Sequence, residues 1–211
     1  MAENFAPIAA RKPDATALAD EQRSVTWAAF DTHVNQLIHA LRAAGLGVGD
    51  TVGVLCGNRV ELFEVLAATM HAGIVVVPIN WHWVADEIAY VLADADARAL
   101  LVDVDYATVG NDAIARLDRD VALLPVGDDA YRAWLAAQPD DEPTGQALGG
   151  PMFYTSGTTG RPKGVRNSLT RAGLPAATWQ LVAAGAVAQL ELPTDGVTLL
   201  CLLYTSPSPR D

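Results

Sequence analysis

The sequence predicts an α/β fold, a mostly parallel sheet covered by helices. Three observations predict it. Short apolar runs at 51–56, 74–78 and 99–102 are rich in Val, Leu and Ile, as strands buried on both faces require. Stretches with apolar residues at helical spacing lie between them. A run dense in glycine, serine and threonine follows the apolar lead-in Met152-Phe153, which is where a loop at a strand end belongs. Strand and helix alternating in this way give parallel strands joined by right-handed crossovers, and such sheets bind ligands outside their carboxyl ends.

Taken in order, residues 10–19 read as a surface lead-in with a turn at Pro13-Asp14, and structure begins at 24–27. Thr26 suits a helix N-cap. Phe30, Val34, Leu37, Ile38 and Leu41 then repeat on one helical face, and Gly45 ends the helix. His33 and His39 read as boundary residues of that helix. Gly47-Val48-Gly49-Asp50 is a turn before a strand at 51–56. Val60, Phe63, Glu64, Leu66, Ala67 and Met70 mark a second helix, stopped at Gly73, and 74–78 is a β-branched strand.

In Asn80-Trp81-His82-Trp83 the two indoles are expected to pack half-buried on the core; an aromatic wall for a ligand is the other reading. Asp86 and Glu87 sit in the first turn of a helix whose stripe is Ile88, Val91 and Leu92, where acids favour the dipole. A strand at 98–103 follows, then a weaker helix through Ile114 and Leu117. Next come a strand at 121–126, a short helix at 128–137 carrying Tyr131 and Trp134, and a loop at 138–150.

Composition narrows the functions. Over 211 residues, 51% are hydrophobic and 18% charged, and the formal net charge is −11. A nucleic-acid surface needs a basic patch to displace counterions, so none is expected. Cys56 and Cys201 lie in apolar runs without metal-like spacing and suit free buried thiols of a reducing compartment. Residues 1–11 do not read as a signal peptide, and no transmembrane segment is expected. The expected location is cytoplasmic.

The chemistry is concentrated in Thr155-Ser156-Gly157-Thr158-Thr159-Gly160-Arg161-Pro162-Lys163-Gly164. Glycines let backbone N–H groups approach an anion closely. The hydroxyls of Thr155, Ser156, Thr158 and Thr159 donate to phosphate oxygens or to the waters of Mg²⁺. Lys163 adds a mobile point charge. This is not a Walker A loop, because Pro162 removes an N–H before the lysine and Gly164-Val165 replaces its Ser or Thr. It reads as a loop between two extended segments that closes over a triphosphate. The other reading is a flexible Gly/Ser/Thr linker that contains a lysine.

That string resembles the phosphate-loop signature of the AMP-forming adenylating enzymes: acyl-CoA synthetases, luciferases and the adenylation domains of peptide synthetases. Pro78-Ile79-Asn80 and Glu87-Ile88-Ala89-Tyr90 also look like the family's amino-terminal half. The chain departs from the pattern at Asn167-Ser168, where many relatives carry a Ser/Thr-His pair. The resemblance implies ATP-dependent activation of a carboxylic acid, by default a fatty acid, to an acyl-adenylate. Coenzyme A then displaces AMP.

It implies that Thr155, Ser156, Gly157, Thr158, Thr159, Gly160, Lys163 and Gly164 bind ATP with Mg²⁺, Lys163 acting as a charge rather than a base. The family's Mg²⁺-holding glutamate, ribose-binding aspartate and adenylation lysine have no match here. No catalytic residue is therefore expected in this chain, which reads as an inactive fragment. A partial amino-terminal AMP-binding domain is expected over 1–203. Gly196 to Leu203 reads as a strand, and the Pro/Ser-rich 204–211 reads as a tail foreign to the domain; a natural flexible tail is the other reading. The competing functional reading is a non-catalytic short form that binds ATP or a full-length partner.

Overall fold

In the computed structural model, residues 5–155, 161–166 and 172–175 are described, together with 178, 181, 185 and 189. Helix α1 (Ala6–Arg11) leads into an antiparallel pair, β1 (Thr16–Ala19) and β2 (Ser24–Thr26). Strand β1 falls within the stretch 10–19 expected as a plain lead-in, and α1 lies mostly ahead of it, where no element is expected. Their order comes from packing: Phe5, Ala17 and Leu18 lie against the core that α2 helps to build.

Helix α2 (Trp27–Ala43) starts as predicted. The Thr26 hydroxyl accepts the Ala29 N–H at 3.3 Å, and Phe30, Val34, Leu37, Ile38 and Leu41 are buried. Then come β3 (Thr51–Leu55), α3 (Val60–Ala72), β4 (Val75–Pro78), α4 (Ala85–Asp94), β5 (Ala97–Asp103), a 3-10 turn at Val104–Tyr106, and α5 (Ala107–Ile114). The chain continues with β6 (Ala122–Val126), α6 (Asp129–Ala136), β7 (Ala147–Leu148), β8 (Gly150–Thr155), β9 (Lys163–Arg166) and β10 (Leu174–Pro175). Gly73 caps α3 at φ +76°, a left-handed turn that a side chain would strain.

The main sheet runs β6-β5-β3-β4-β8-β9. Its first five strands are parallel, and β9 is antiparallel to β8. Two cores cover its faces. On one side α2, α3 and α6 pack on Val52, Val54, Val76 and Leu101. On the other α4 and α5 pack on Leu55, Val77, Leu100 and Val102. Alternating side chains of the same strands feed both cores, which explains the unbroken apolar runs.

The expected loop at 138–150 contains β7, which pairs with β10. Helix α3 follows half of its expected stripe. Val60, Glu64 and Ala67 are buried as expected, Phe63, Leu66 and Met70 are only partly covered, and Glu61, Leu62, Val65, Ala68 and His71 are buried besides. Among the described residues no helix is long and apolar enough to cross a membrane. The strand expected at 196–203, the tail at 204–211, Asn167-Ser168 and Cys201 lie outside the described residues.

Candidate functional site

Strands β8 and β9 form an antiparallel pair in the register Met152↔Arg166, Phe153↔Val165, Tyr154↔Gly164 and Thr155↔Lys163. Thr155 and Lys163 are therefore cross-strand neighbours at the mouth of the segment between the strands. That mouth stands at the carboxyl edge of the parallel sheet, since β8 runs parallel to β4. The two extended segments of the predicted arrangement are β8 and β9. Ser156, Gly157, Thr158, Thr159 and Gly160 lie outside the described residues.

Paired residues share a face and successive ones alternate. Thr155, Lys163, Phe153 and Val165 therefore point the same way, and all four are exposed, Phe153 at 49% and Val165 at 53%. An apolar recess of about 210 Å³ opens on that face, lined by Phe153, Val76, Leu62, Leu66 and Met70 among others. The opposite face is closed by Tyr154, 7% exposed, and Met152.

Gly164 shows why glycine is needed on the closed face. A Cβ there would collide with the Met152 methyl and stand 3.1 Å from the Tyr154 ring. Its identity is set by the close approach of β9 to Tyr154. Sequence reasoning gave it only a phosphate contact.

Two residues of α4 hold this hairpin. Tyr154 donates its hydroxyl to Asp94 Oδ2 at 2.6 Å, and Tyr90 donates its own to the Pro162 carbonyl at 3.0 Å. The Arg161 guanidinium lies over the Tyr90 ring, 5.2 Å from its centre. Burial, then the bond to Asp94, raises the Tyr154 pKa above the usual tyrosine value, so it stays a donor. Arg166 reaches Met152 Sδ at 3.2 Å and Thr51 Oγ1 at 3.4 Å. Sequence reasoning quoted Tyr90 only within a family-like string and gave no role to Asp94, since a helical tyrosine and an acid four residues on carry no motif.

A second polar cluster lies along the same edge, beyond β3 and β5. Arg59 donates to Asp103 Oδ1 at 2.9 Å, Glu61 Oε2 at 3.2 Å and the Gly127 carbonyl at 3.0 Å. Glu64 is fully buried and accepts from Tyr131 at 2.7 Å and Arg23 at 3.1 Å, with His33 Nδ1 at 2.8 Å. Burial pushes the Glu64 carboxyl upward, but the hydrogen bond and charge of His33, the Tyr131 hydroxyl and Arg23 outweigh it and hold it below the usual range. Burial and the neighbouring Asp103 push the Cys56 thiol far upward, which makes it a poor nucleophile.

Trp81 and Trp83 pack partly buried on the core, as expected, and Trp81 stacks on Tyr106 at 5.7 Å. Asp86 and Glu87 stand in the first turn of α4, and Glu87 Oε2 accepts the Val84 N–H at 3.0 Å. His39 lies 3.1 Å from the Asp141 carbonyl oxygen. No group of three His, Cys, Asp or Glu side chains forms a metal site among the described residues.

A helix-covered, mostly parallel sheet whose last parallel strand turns back through a Gly/Ser/Thr-rich segment is the architecture of an adenylating enzyme's amino-terminal domain. The chain belongs to the AMP-binding enzyme family, whose profile matches residues 5–203. It is similar to a fatty acid–[acyl-carrier-protein] ligase of Streptomyces coeruleorubidus, 30% identical over 199 residues, 88% of this chain and 37% of that protein. A feruloyl-CoA synthase of an Amycolatopsis species is 37% identical over 172 residues, 81% of this chain and 32% of that one. Among solved structures, the fatty acyl CoA synthetase of Mycobacterium tuberculosis superposes with a TM-score of 0.67 at 26% identity, over 78% of this chain and 33% of that one. The chain spans about a third of the length of each.

Proposed function

We propose that the chain supplies the phosphate-binding part of an ATP-dependent, carboxylate-activating ligase. In this reading residues 1–203 belong to its amino-terminal adenylation domain and 204–211 lie outside it. The intact protein joins a carboxylic acid, by default a fatty acid, to AMP and passes the acyl group to coenzyme A. It acts in the cytoplasm.

One observation carries the reading. The Thr155↔Lys163 pair closes the hairpin at the carboxyl edge of a parallel sheet, with both side chains exposed on one face. That edge is where ligands meet such sheets. A hydroxyl donor and a flexible ammonium side by side suit a polyanion. Residues 155–160 and Lys163 would hold the β- and γ-phosphates, and Gly164 would keep β9 against β8. Bringing a carboxylate up to a triphosphate opposes two anions. The service this chain gives is to neutralise charge and fix the phosphates in line. Mg²⁺ bound with the nucleotide would supply further charge neutralisation.

The test is carboxylate-dependent exchange of labelled pyrophosphate into ATP by the complete protein, with Thr155→Val and Lys163→Ala beside wild type. Both variants should exchange more slowly and need more ATP. Full exchange at wild-type ATP concentrations by Lys163→Ala would remove the lysine's role.

A further inference from the structure

Between β8 and β9 the two legs of the hairpin are fastened to one helix. Tyr90 and Asp94 lie four residues apart on α4, one above the other on the same helical face. Asp94 holds Tyr154, the penultimate residue of β8, at 2.6 Å. Tyr90 holds the carbonyl of Pro162, the residue just before β9, at 3.0 Å, and its ring lies under Arg161. Gly164 vacates the space that the hydroxyl end of Tyr154 fills. The helix is in turn seated by Ile88, Val91 and Leu92, each at most 1% exposed. A rigid element therefore grips the chain on both sides of residues 156–160.

We infer that Tyr90 and Asp94 are positioning residues for ATP: they fix the spacing and direction of the two strand ends and so raise nucleotide affinity without touching the nucleotide. The inference rests on the reading that this hairpin binds the phosphates. Its physical basis is preorganisation. A loop whose ends are held loses less freedom on binding than one whose ends drift. The ring beneath Arg161 adds a cation–π contact to the downstream leg, and the hydrogen bond to Pro162 fixes a carbonyl whose residue has no N–H to pair in its place.

The complete protein tests this by two readouts. The first is the KM for Mg·ATP in carboxylate-dependent pyrophosphate release. Tyr90→Phe, which keeps the ring and loses the hydroxyl, should raise it about fivefold, the weight of one hydrogen bond, with kcat within about twofold. Asp94→Ala should act similarly, whereas Asp94→Asn retains an acceptor oxygen and should restore the wild-type KM. Arg161→Gln, exposed and remote from the core, should raise it about threefold at an unchanged thermal midpoint.

The second readout is the rate of trypsin cleavage after Lys163, which Tyr90→Phe and Asp94→Ala should accelerate. Unchanged KM and unchanged cleavage in both variants would overturn the clamp. Faster cleavage at an unchanged ATP KM would leave α4 as a plain structural support and overturn the positioning role. If the phosphate reading itself is wrong, Lys163→Ala will leave the ATP KM unmoved while the Tyr90 and Asp94 variants still speed cleavage, so the two failures differ.

Discussion

Two polar groups share the carboxyl edge of one sheet and are built in opposite ways. Around Arg59, Asp103, Glu61 and Glu64 every charge faces a counter-charge, and the acids are at most 2% exposed. At Thr155 and Lys163 the side chains stand in the open. Buried ions are tolerated only when paired and hydrogen-bonded; the first group spends its charges on one another and ties the β1–β2 hairpin, α2, α3 and α6 to the sheet. The second shows no side-chain partner among the described residues. The lesson is that a dense cluster of charges can be wholly structural, spent on joining elements to the sheet, while a sparse pair at the same edge stays exposed.

The sharpest way to break this contrast is Arg59→Ala. It strands Asp103 and weakens the hold on Glu61, and should cost about 3–5 kcal/mol of stability, measured by urea denaturation. Lys163→Ala should do the reverse, leaving the denaturation midpoint in place. It should weaken Mg·ATP binding by about 1.5–3 kcal/mol, the range for a charge-assisted hydrogen bond, read by calorimetry on the complete protein. Gly164→Ala stands between the two. Met152 can swing its methyl aside, but Tyr154 is pinned by Asp94, so overpacking should cost about 1–3 kcal/mol. The double variant with Tyr154→Phe, which removes the hydroxyl 3.2 Å from the added methyl and its tie to Asp94, should recover part of it.

Acid gives the smallest effect. Glu64 has a folded pKa below the unfolded value of about 4.3. Below that pH the unfolded chain takes up the proton first. The stabilisation is therefore whole above about pH 4.3 and is lost as pH falls through the lowered value, at no more than about 1.4 kcal/mol per pH unit. Glu64→Gln should flatten that part of the stability–pH curve.

Much of the architecture could be read in advance. Strands β3 to β5 announce themselves because burial on both faces leaves unbroken apolar runs, and α2 carries both a hydroxyl cap and a clean stripe. The misses share a cause. Helix α1 and strand β1 are too short for periodicity to register and depend on contacts from elsewhere. The wider burial of α3 was hidden because Glu61 looks like a surface acid until Arg23 and Arg59 arrive to pair with it. The hairpin was legible as a motif, with its mouth at Thr155 and Lys163. Its fastening was not, because Tyr90 and Asp94 meet the hairpin only through tertiary structure, 60 or more residues from their partners.

Gly164 has a practical consequence for anyone reading variant effects at scale. On the proposed reading a substitution there should act through strand packing and lower cellular abundance, with each surviving molecule of the complete protein turning over near the normal rate at saturating ATP. Its neighbour Lys163 should give the opposite pair of scores. A mutational scan that records protein level and growth separately would pull apart two adjacent positions that a single fitness score merges.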